Sequence, residues 1–200
     1  MTKVVLFNGV VGSGKDTCSN ILYEYLWKPC ERVAQESFKE PLYKMVSSIH
    51  GLDEEDFTRI ASHRSTKDFP DLQFGGLTAR ELLIGVSEQL IKPFYGKGYF
   101  GELAVKRMKE RDIPVFVFSD SGFEEELEVV SNYVGKENVI LCRIRNRGTF
   151  SNDSRSFLSD QHAGTVLDYD NSGSLHELHD WVESVGDMIL KELDIDATGR

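Results

Sequence analysis

Two hundred residues carrying 33 acidic and 23 basic side chains give the chain a formal charge of −10, and 40% of the residues are hydrophobic. That is enough apolar material for one core and argues against a second full domain, while the acidic balance argues against non-specific binding of nucleic acid through a uniformly basic surface. Three cysteines, Cys18, Cys30 and Cys142, lack C-x-x-C spacing, so neither a disulfide framework nor a zinc site is indicated, and small buried thiols in a reducing compartment are expected.

In chain order, "KVVLFNG" (3–9) reads as a buried strand, and Asp16 to about Trp27 as a helix with Ile21, Leu22, Tyr25 and Leu26 on one side. "RVAQESF" (32–38) reads as a second strand, followed by a helix from Glu40 to Ile49 that Gly51 stops. Residues 53–76 are polar and predict a short helix and a mobile loop. Thr78 caps a helix over "ARELLIGVSEQLI" that Pro93 ends. Another helix fits "GELAVKRMKERD" (101–112), and "IPVFVF" (113–118) is the strongest strand signal. A helix over "EEELEVVSNYV" (124–134), strands over "NVILCRI" (138–144) and "TVLDYD" (165–170), and a last helix begun by the cap Ser174 complete the chain. Alternation of this kind predicts an α/β fold, a parallel sheet covered by helices on both faces. No apolar stretch approaches the roughly 20 residues of a membrane span, and "MTKVVLF" does not read as a signal peptide, so a soluble cytoplasmic protein with no membrane partner is expected.

The stretch "NGVVGSGKDT" matches G-x-x-x-x-G-K, with Gly9, Gly14 and Lys15 in register between a strand and a helix. Glycines let backbone N–H groups fold around a phosphate, the helix start adds partial positive charge, and a lysine so placed reaches the β- and γ-phosphates. The binding set is therefore Gly9, Gly12, Ser13, Gly14, Lys15, Asp16 and Thr17, with ATP and Mg²⁺ as the implied cofactors. Asp16 occupies the position where Ser or Thr commonly helps to hold the metal. It either acts on Mg²⁺ through a water or caps the helix electrostatically.

Phosphoryl transfer requires cations around the moving group. "RIRNRG" supplies Arg143, Arg145 and Arg147 at the head of an aperiodic polar segment, either a lid with Arg145 and Arg147 pointing the same way or a solvated basic patch. Arg80 stands in the first turn of its helix, unfavourable on dipole grounds, and is a candidate for the acceptor phosphate unless it simply pairs with Glu81 or Glu88. Asp120 ends the strongest strand, at the sheet edge that carries ligands in parallel α/β folds, and is a candidate for Mg²⁺ together with Asp16; otherwise it caps the following helix. The adjacent Phe123 is suited to stacking on a base, from a free nucleotide or from DNA. His50, His63, His162, His176 and His179 form no convincing metal motif, and Trp27 and Trp181 fall in amphipathic helices as expected core residues.

The combination "SGKDT", "SFKEPLYKM", "TARELLIGVSEQL" and "DNSGSLHEL" resembles the bacteriophage deoxynucleoside monophosphate kinases, a branch of the P-loop nucleotide kinases, over most of the chain. The resemblance implies a five-stranded parallel sheet, an acceptor-binding helical region at about 38–107 and an arginine-bearing lid at about 143–162. It also implies Asn171 to Ser174 near the adenine, and the loop after Phe38, with Lys39, facing the acceptor. Catalysis would then fall to Lys15, Asp120, Arg145 and Arg147 and acceptor binding to Phe38, Lys39, Arg80 and Phe123, in the cytoplasm of an infected cell if the gene is a phage's.

Where that family tends to follow the acid with a residue such as arginine, this chain has Gly122 and Phe123. Two acceptors therefore stand open: a deoxynucleoside monophosphate, or the hydroxymethyl group of a modified pyrimidine in DNA, for which Asp120 would be a general base. A third reading is an ATP-binding switch without transfer. The expected partners are small-molecule nucleotides, with DNA only under the second reading, and an oligomer is compatible with all three.

Overall fold

A computed structural model describes residues 2–30, 33–63, 65–148 and 156–195. Five strands, β1 (Lys3–Gly9), β2 (Val33–Glu36), β3 (Val115–Ser121), β4 (Val139–Arg145) and β5 (Thr165–Asp170), form one sheet in the order β2-β3-β1-β4-β5. Every pairing is parallel, so β1 lies at the centre between β3 and β4. The chain steps to β2 on one side of β1, returns through β3, and crosses to β4 on the other. Loops leaving the carboxyl ends of β1 and β3 therefore diverge and open a crevice there.

Side-chain alternation sorts the sheet's two faces. Val5, Phe7, Val115, Val117, Ile140 and Cys142 point to the face covered by α1 (Lys15–Cys30) and α8 (Leu175–Glu192), where Leu22, Leu26, Val182 and Ile189 meet them. Val4, Leu6, Phe116, Phe118, Val139 and Leu141 point to the other. That face receives α2 (Glu40–His50), α3 (Glu54–Ser62), α4 (Ala79–Ile84), α5 (Lys92–Tyr95), α6 (Tyr99–Glu110) and α7 (Glu124–Val134). With both faces covered, β1 is buried along its whole length. Each fully buried Val, Leu or Phe in it contributes about 1.5–3 kcal/mol.

Several local expectations hold. Gly51 ends α2 in the left-handed region, and Thr78 and Ser174 each form a reciprocal capping box, with Glu81 and Glu177. The thiols of Cys18 and Cys142 are buried, and burial pushes that of Cys18 up to about 12; the Cys30 thiol lies outside the described residues. No described helix is long and apolar enough to cross a membrane.

Other expectations are corrected. Pro93 does not end the helix that Thr78 caps: α4 runs into a π-helical segment, Gly85–Ile91, and α5 continues with Pro93 in its first turn. The missing proline N–H and the ring's clash with the preceding turn are absorbed where the ladder widens, with the Lys92 N–H bonding to the Ser87 carbonyl. Strand β2 stops at Glu36 because the next three residues turn away to bond Asp120. Trp27 is no core residue but 49% exposed beside Tyr23, whereas Trp181 stacks on Tyr169 with ring centroids 4.6 Å apart.

Candidate active site

The loop between β1 and α1 is held by contacts that leave no room for side chains at two positions. A Cβ on Gly9 would sit 2.6 Å from the Ile144 carbonyl oxygen, and one on Gly14, at φ +102°, would sit 2.9 Å from Asn171 Nδ2. Ser13 N–H donates to the Val10 carbonyl at 3.1 Å, closing the turn. Lys15, buried, donates from Nζ to the Gly9 and Val10 carbonyls, each at 2.7 Å, so its ammonium lies within its own loop. Asp16 and Thr17 follow as exposed residues of the first turn.

Asn171 braces this loop from the end of β5. Its Nδ2 donates to the Ser13 carbonyl at 2.7 Å, its backbone N–H donates to the Arg145 carbonyl at 3.1 Å, and the residue is buried. The loops after β4 and β5 therefore border the glycine loop on the side away from β3.

On the β3 side a cavity of about 210 Å³ opens against the glycine loop, at the crevice the strand order creates. Val11, Gly12, Lys15 and Asp16 form one rim and Asp120 lies in the wall. Asp120, buried near the end of β3, does not cap α7, whose N-terminal Phe123 has no side-chain cap bond. Its Oδ2 accepts from Ser37 Oγ at 2.6 Å and from Lys39 N–H at 3.1 Å, and its Oδ1 from Phe38 N–H at 3.2 Å. Arg107 on α6 secures the same turn, donating to the Ser37 carbonyl at 2.6 Å and to Glu36 at 3.0 Å, with Arg111 on Glu36 as well at 2.7 Å. The order Arg107, Ser37, Asp120 is invisible in sequence, because its members come from α6, the β2–α2 turn and β3.

Three cations line the cavity beside Asp16: Lys39, Lys67 and Arg80. Loss of water opposes the charge on Lys39, but the nearby Asp120 carboxylate and Tyr43 outweigh it and hold the ammonium's pKa above its ordinary value. Lys67 goes the other way: burial, then the charge of Arg80, lower it. Arg80 Nε bonds Asp68 Oδ1 at 2.6 Å, so its acid partner is neither Glu81 nor Glu88. Lys67 escaped the sequence reading because it sits in an aperiodic loop with no motif around it. The backbone bond from Arg80 N–H to the Lys67 carbonyl, 3.2 Å, is what brings it in.

The aromatic candidates divide. Phe38 lines the cavity but is 3% exposed and stacks on Phe118 at 4.6 Å, so its ring is core and its N–H is the functional part. Phe123 also lines the cavity, with Lys92 Nζ 3.3 Å from its ring centroid.

Arg143, Arg145 and Arg147 do not line the cavity. Arg143 forms a forked pair with Asp168 at 3.1 and 2.7 Å, and Arg145 bonds the same carboxylate while lying 4.5 Å over the Phe157 ring. Burial would raise the Asp168 pKa, but these two guanidinium groups hold it below the usual carboxylate range. Arg147 is exposed in the turn after β4. Of the segment expected to be a lid, residues 149–155 lie outside the described residues, and the following stretch is packed. Leu158 is in the core, and Asn8, fully buried in β1, ties it down by accepting from Leu158 N–H at 3.0 Å while donating to the Ser156 and Ser121 carbonyls.

Asp16 and Asp120 both border the cavity next to the lysine of the loop. Two carboxylates are the donor type that Mg²⁺ takes, with waters and substrate phosphates completing its shell. His179, Asp180 and Glu183 cluster on α8 well away in sequence, exposed on the helix surface.

No protein-family model matches the chain, and no curated protein matches it significantly. Among solved structures, it is similar to APE1195 at 15% identity and a TM-score of 0.45, with 94% of this chain and 96% of that one covered. It is similar to a sugar kinase from Janibacter sp. at 15% identity and TM-score 0.42, covering 100% and 98%. It is also similar to shikimate kinase from Acinetobacter baumannii in complex with shikimate, at 12% identity and TM-score 0.41, covering 96% and 95%.

Proposed function

We propose that the chain is an ATP-dependent phosphotransferase that moves the γ-phosphoryl group onto a deoxynucleoside monophosphate. One observation carries the reading: a single cavity has the glycine loop with Lys15 on its rim and Lys39, Lys67 and Arg80 in its wall. Two phosphate-bearing molecules meeting end to end need cations of this number between them, because the reacting oxygens are all anionic. In the transfer, an acceptor phosphate oxygen forms the new bond to the γ-phosphorus while its bond to the β–γ bridging oxygen breaks, and ADP leaves.

Within this scheme Lys15 and the loop amides hold the ATP phosphates, and Lys39, Lys67 and Arg80 hold the acceptor phosphate. Asp16 and Asp120 would hold Mg²⁺, which supplies charge neutralisation when bound. A monophosphate is favoured over a hydroxyl acceptor because it is already an anion and needs no base. The carboxylate that would serve as base, Asp120, already accepts three hydrogen bonds from residues 37–39.

The test is incubation with radiolabelled ATP and Mg²⁺ against the four common deoxynucleoside monophosphates, alongside DNA with and without hydroxymethyluracil. Label on one or more monophosphates is expected. Label on hydroxymethyluracil DNA alone would replace this reading with the DNA kinase, and ATP binding with no acceptor labelled would replace it with the switch.

A further inference from the structure

Beyond the cations the cavity wall changes character. It continues through Tyr43, Leu83 and Phe123 to two acids, Glu88 and Glu126. Glu88 is engaged, accepting from Lys92 Nζ at 2.8 Å. Glu126 is not: it is 3% exposed, lines the cavity, and makes no side-chain hydrogen bond or ion pair among the described residues.

Its backbone is fixed from behind. Gly101 of α6 packs so closely on the first turn of α7 that a Cβ there would lie 2.9 Å from the Glu126 carbonyl oxygen and 3.0 Å from its Cα. Glu124 and Glu125 already supply acid to the same helix start, so the helix dipole does not require a third and buried one. Burying a carboxyl without a partner is costly, and a fold that retains one beside a cavity has a use for its hydrogen-bonding capacity.

We propose that Glu126 is the specificity-determining contact for the acceptor, its carboxyl making a two-point hydrogen bond with the edge of a nucleobase whose phosphate lies toward Lys39, Lys67 and Arg80. This deepens the nucleotide reading above and rests on it. The two ends of the cavity are electrostatically distinct. Lys67 feels Arg80, Asp68, Lys39 and Asp16, whereas Glu126 feels Lys92, Asp120, Glu88 and Glu125. Asp120 stands where they meet, acting on both Lys39 and Glu126.

Burial is the main cause that pushes the Glu126 carboxyl up to about 8; Asp120, Glu88 and Glu125 add to it and Lys92 opposes it. At neutral pH it is therefore mostly the neutral acid, with one O–H donor and one C=O acceptor side by side. That pair matches a base edge that offers an adjacent donor and acceptor, while Tyr43, Leu83 and Phe123 supply apolar and aromatic surface for the base's faces.

Calorimetric titration of the wild-type protein, Glu126→Gln and Glu126→Leu tests this, with the four deoxynucleoside monophosphates, ATP, and deoxyribose 5-phosphate as a probe with a phosphate and no base. Gln reproduces the neutral acid's donor and acceptor, so its monophosphate affinity is expected within about 3-fold of wild type. Leu is expected to lose at least ~10-fold, the scale of one buried hydrogen-bonding pair. Neither variant should change binding of ATP or deoxyribose 5-phosphate. If the Leu variant binds monophosphates as wild type does, or loses ATP and the sugar phosphate equally, the Glu126 assignment is wrong while the kinase reading stands. If wild type binds ATP and no monophosphate, the nucleotide-acceptor reading fails and this assignment falls with it.

Discussion

Ser37 donates its hydroxyl to Asp120 Oδ2 over 2.6 Å, although the two residues are 83 apart in sequence. The bond fixes the turn after β2 to the end of β3 and so sets where Lys39 enters the cavity. Asp120→Asn retains one acceptor but points an N–H₂ at the Lys39 N–H or at Ser37, leaving a buried donor unmatched. Thermal unfolding should show a loss of about 1–3 kcal/mol. If Asp120 acts on the metal, raising Mg²⁺ or substituting Mn²⁺ recovers part of the transfer rate. A rate that no metal recovers, with loss of an acid limb in the pH profile, would identify a base instead.

Lys15→Met should lower turnover at least ~100-fold, on the scale of one lost charge-stabilising contact. The substitution also removes two hydrogen bonds to the Gly9 and Val10 carbonyls, so a modest stability loss of about 1–2 kcal/mol accompanies it. Full turnover in the folded variant would rule out the phosphate-loop assignment.

The depressed pKa of Lys67 carries a pH signature for acceptor binding. A lysine so shifted loses its charge at lower pH than its ordinary value of about 10.4, so the KM for the acceptor should begin to rise on the alkaline side earlier than a normal lysine permits. Lys67→Arg, which stays charged, should remove that limb while leaving the KM for ATP unchanged. An alkaline limb that survives the substitution would assign it to another group.

Arg147→Ala is expected to lower kcat by ~10-fold or more with little change in the KM for ATP, since a cation from this turn acts on charge that develops during transfer. Arg145→Ala should cost less, because Asp168 already holds its guanidinium. If the double variant keeps wild-type kcat, the turn is a solvated surface. Asp168 itself gives a stability signature: its folded pKa is lowered, so its contribution is present above the unfolded pKa and lost as pH falls through the folded value. Asp168→Asn should flatten that part of the acid unfolding curve.

Glu126 has the opposite linkage. Its folded pKa is raised to about 8, so ionisation is favoured in the unfolded chain and stability declines as pH rises from the unfolded value toward 8. Glu126→Gln should therefore unfold at a higher temperature than wild type at pH 7–8, with the gap closing below about pH 4. Equal melting curves at both pH values would show the carboxyl to be solvated.

Much of this architecture was legible in the sequence. The five strands, the caps Thr78 and Ser174 and the stop at Gly51 came from local chemistry: side-chain alternation, cap oxygens within three residues, and a glycine able to turn left-handed. The glycine loop was legible for the same reason, because its partners Gly9, Gly14 and Lys15 are neighbours in the chain. Asp120 was found by its place at a strand end, but the task of holding residues 37–39 was not.

What the sequence alone determined, then, was every feature whose energy is paid within one or two turns: the alternation of strands and helices, their caps, and a phosphate loop between the first two elements. Tertiary structure decided which charges share the cavity. Lys67 arrives on the backbone of an aperiodic loop, Arg145 is drawn aside by Asp168 from the neighbouring strand, and Glu126 is buried by the close approach of α6. The physical reason is that burial and pairing of a charge depend on groups brought together by packing, and a chain read in order carries no distance between residues that only the folded sheet makes neighbours.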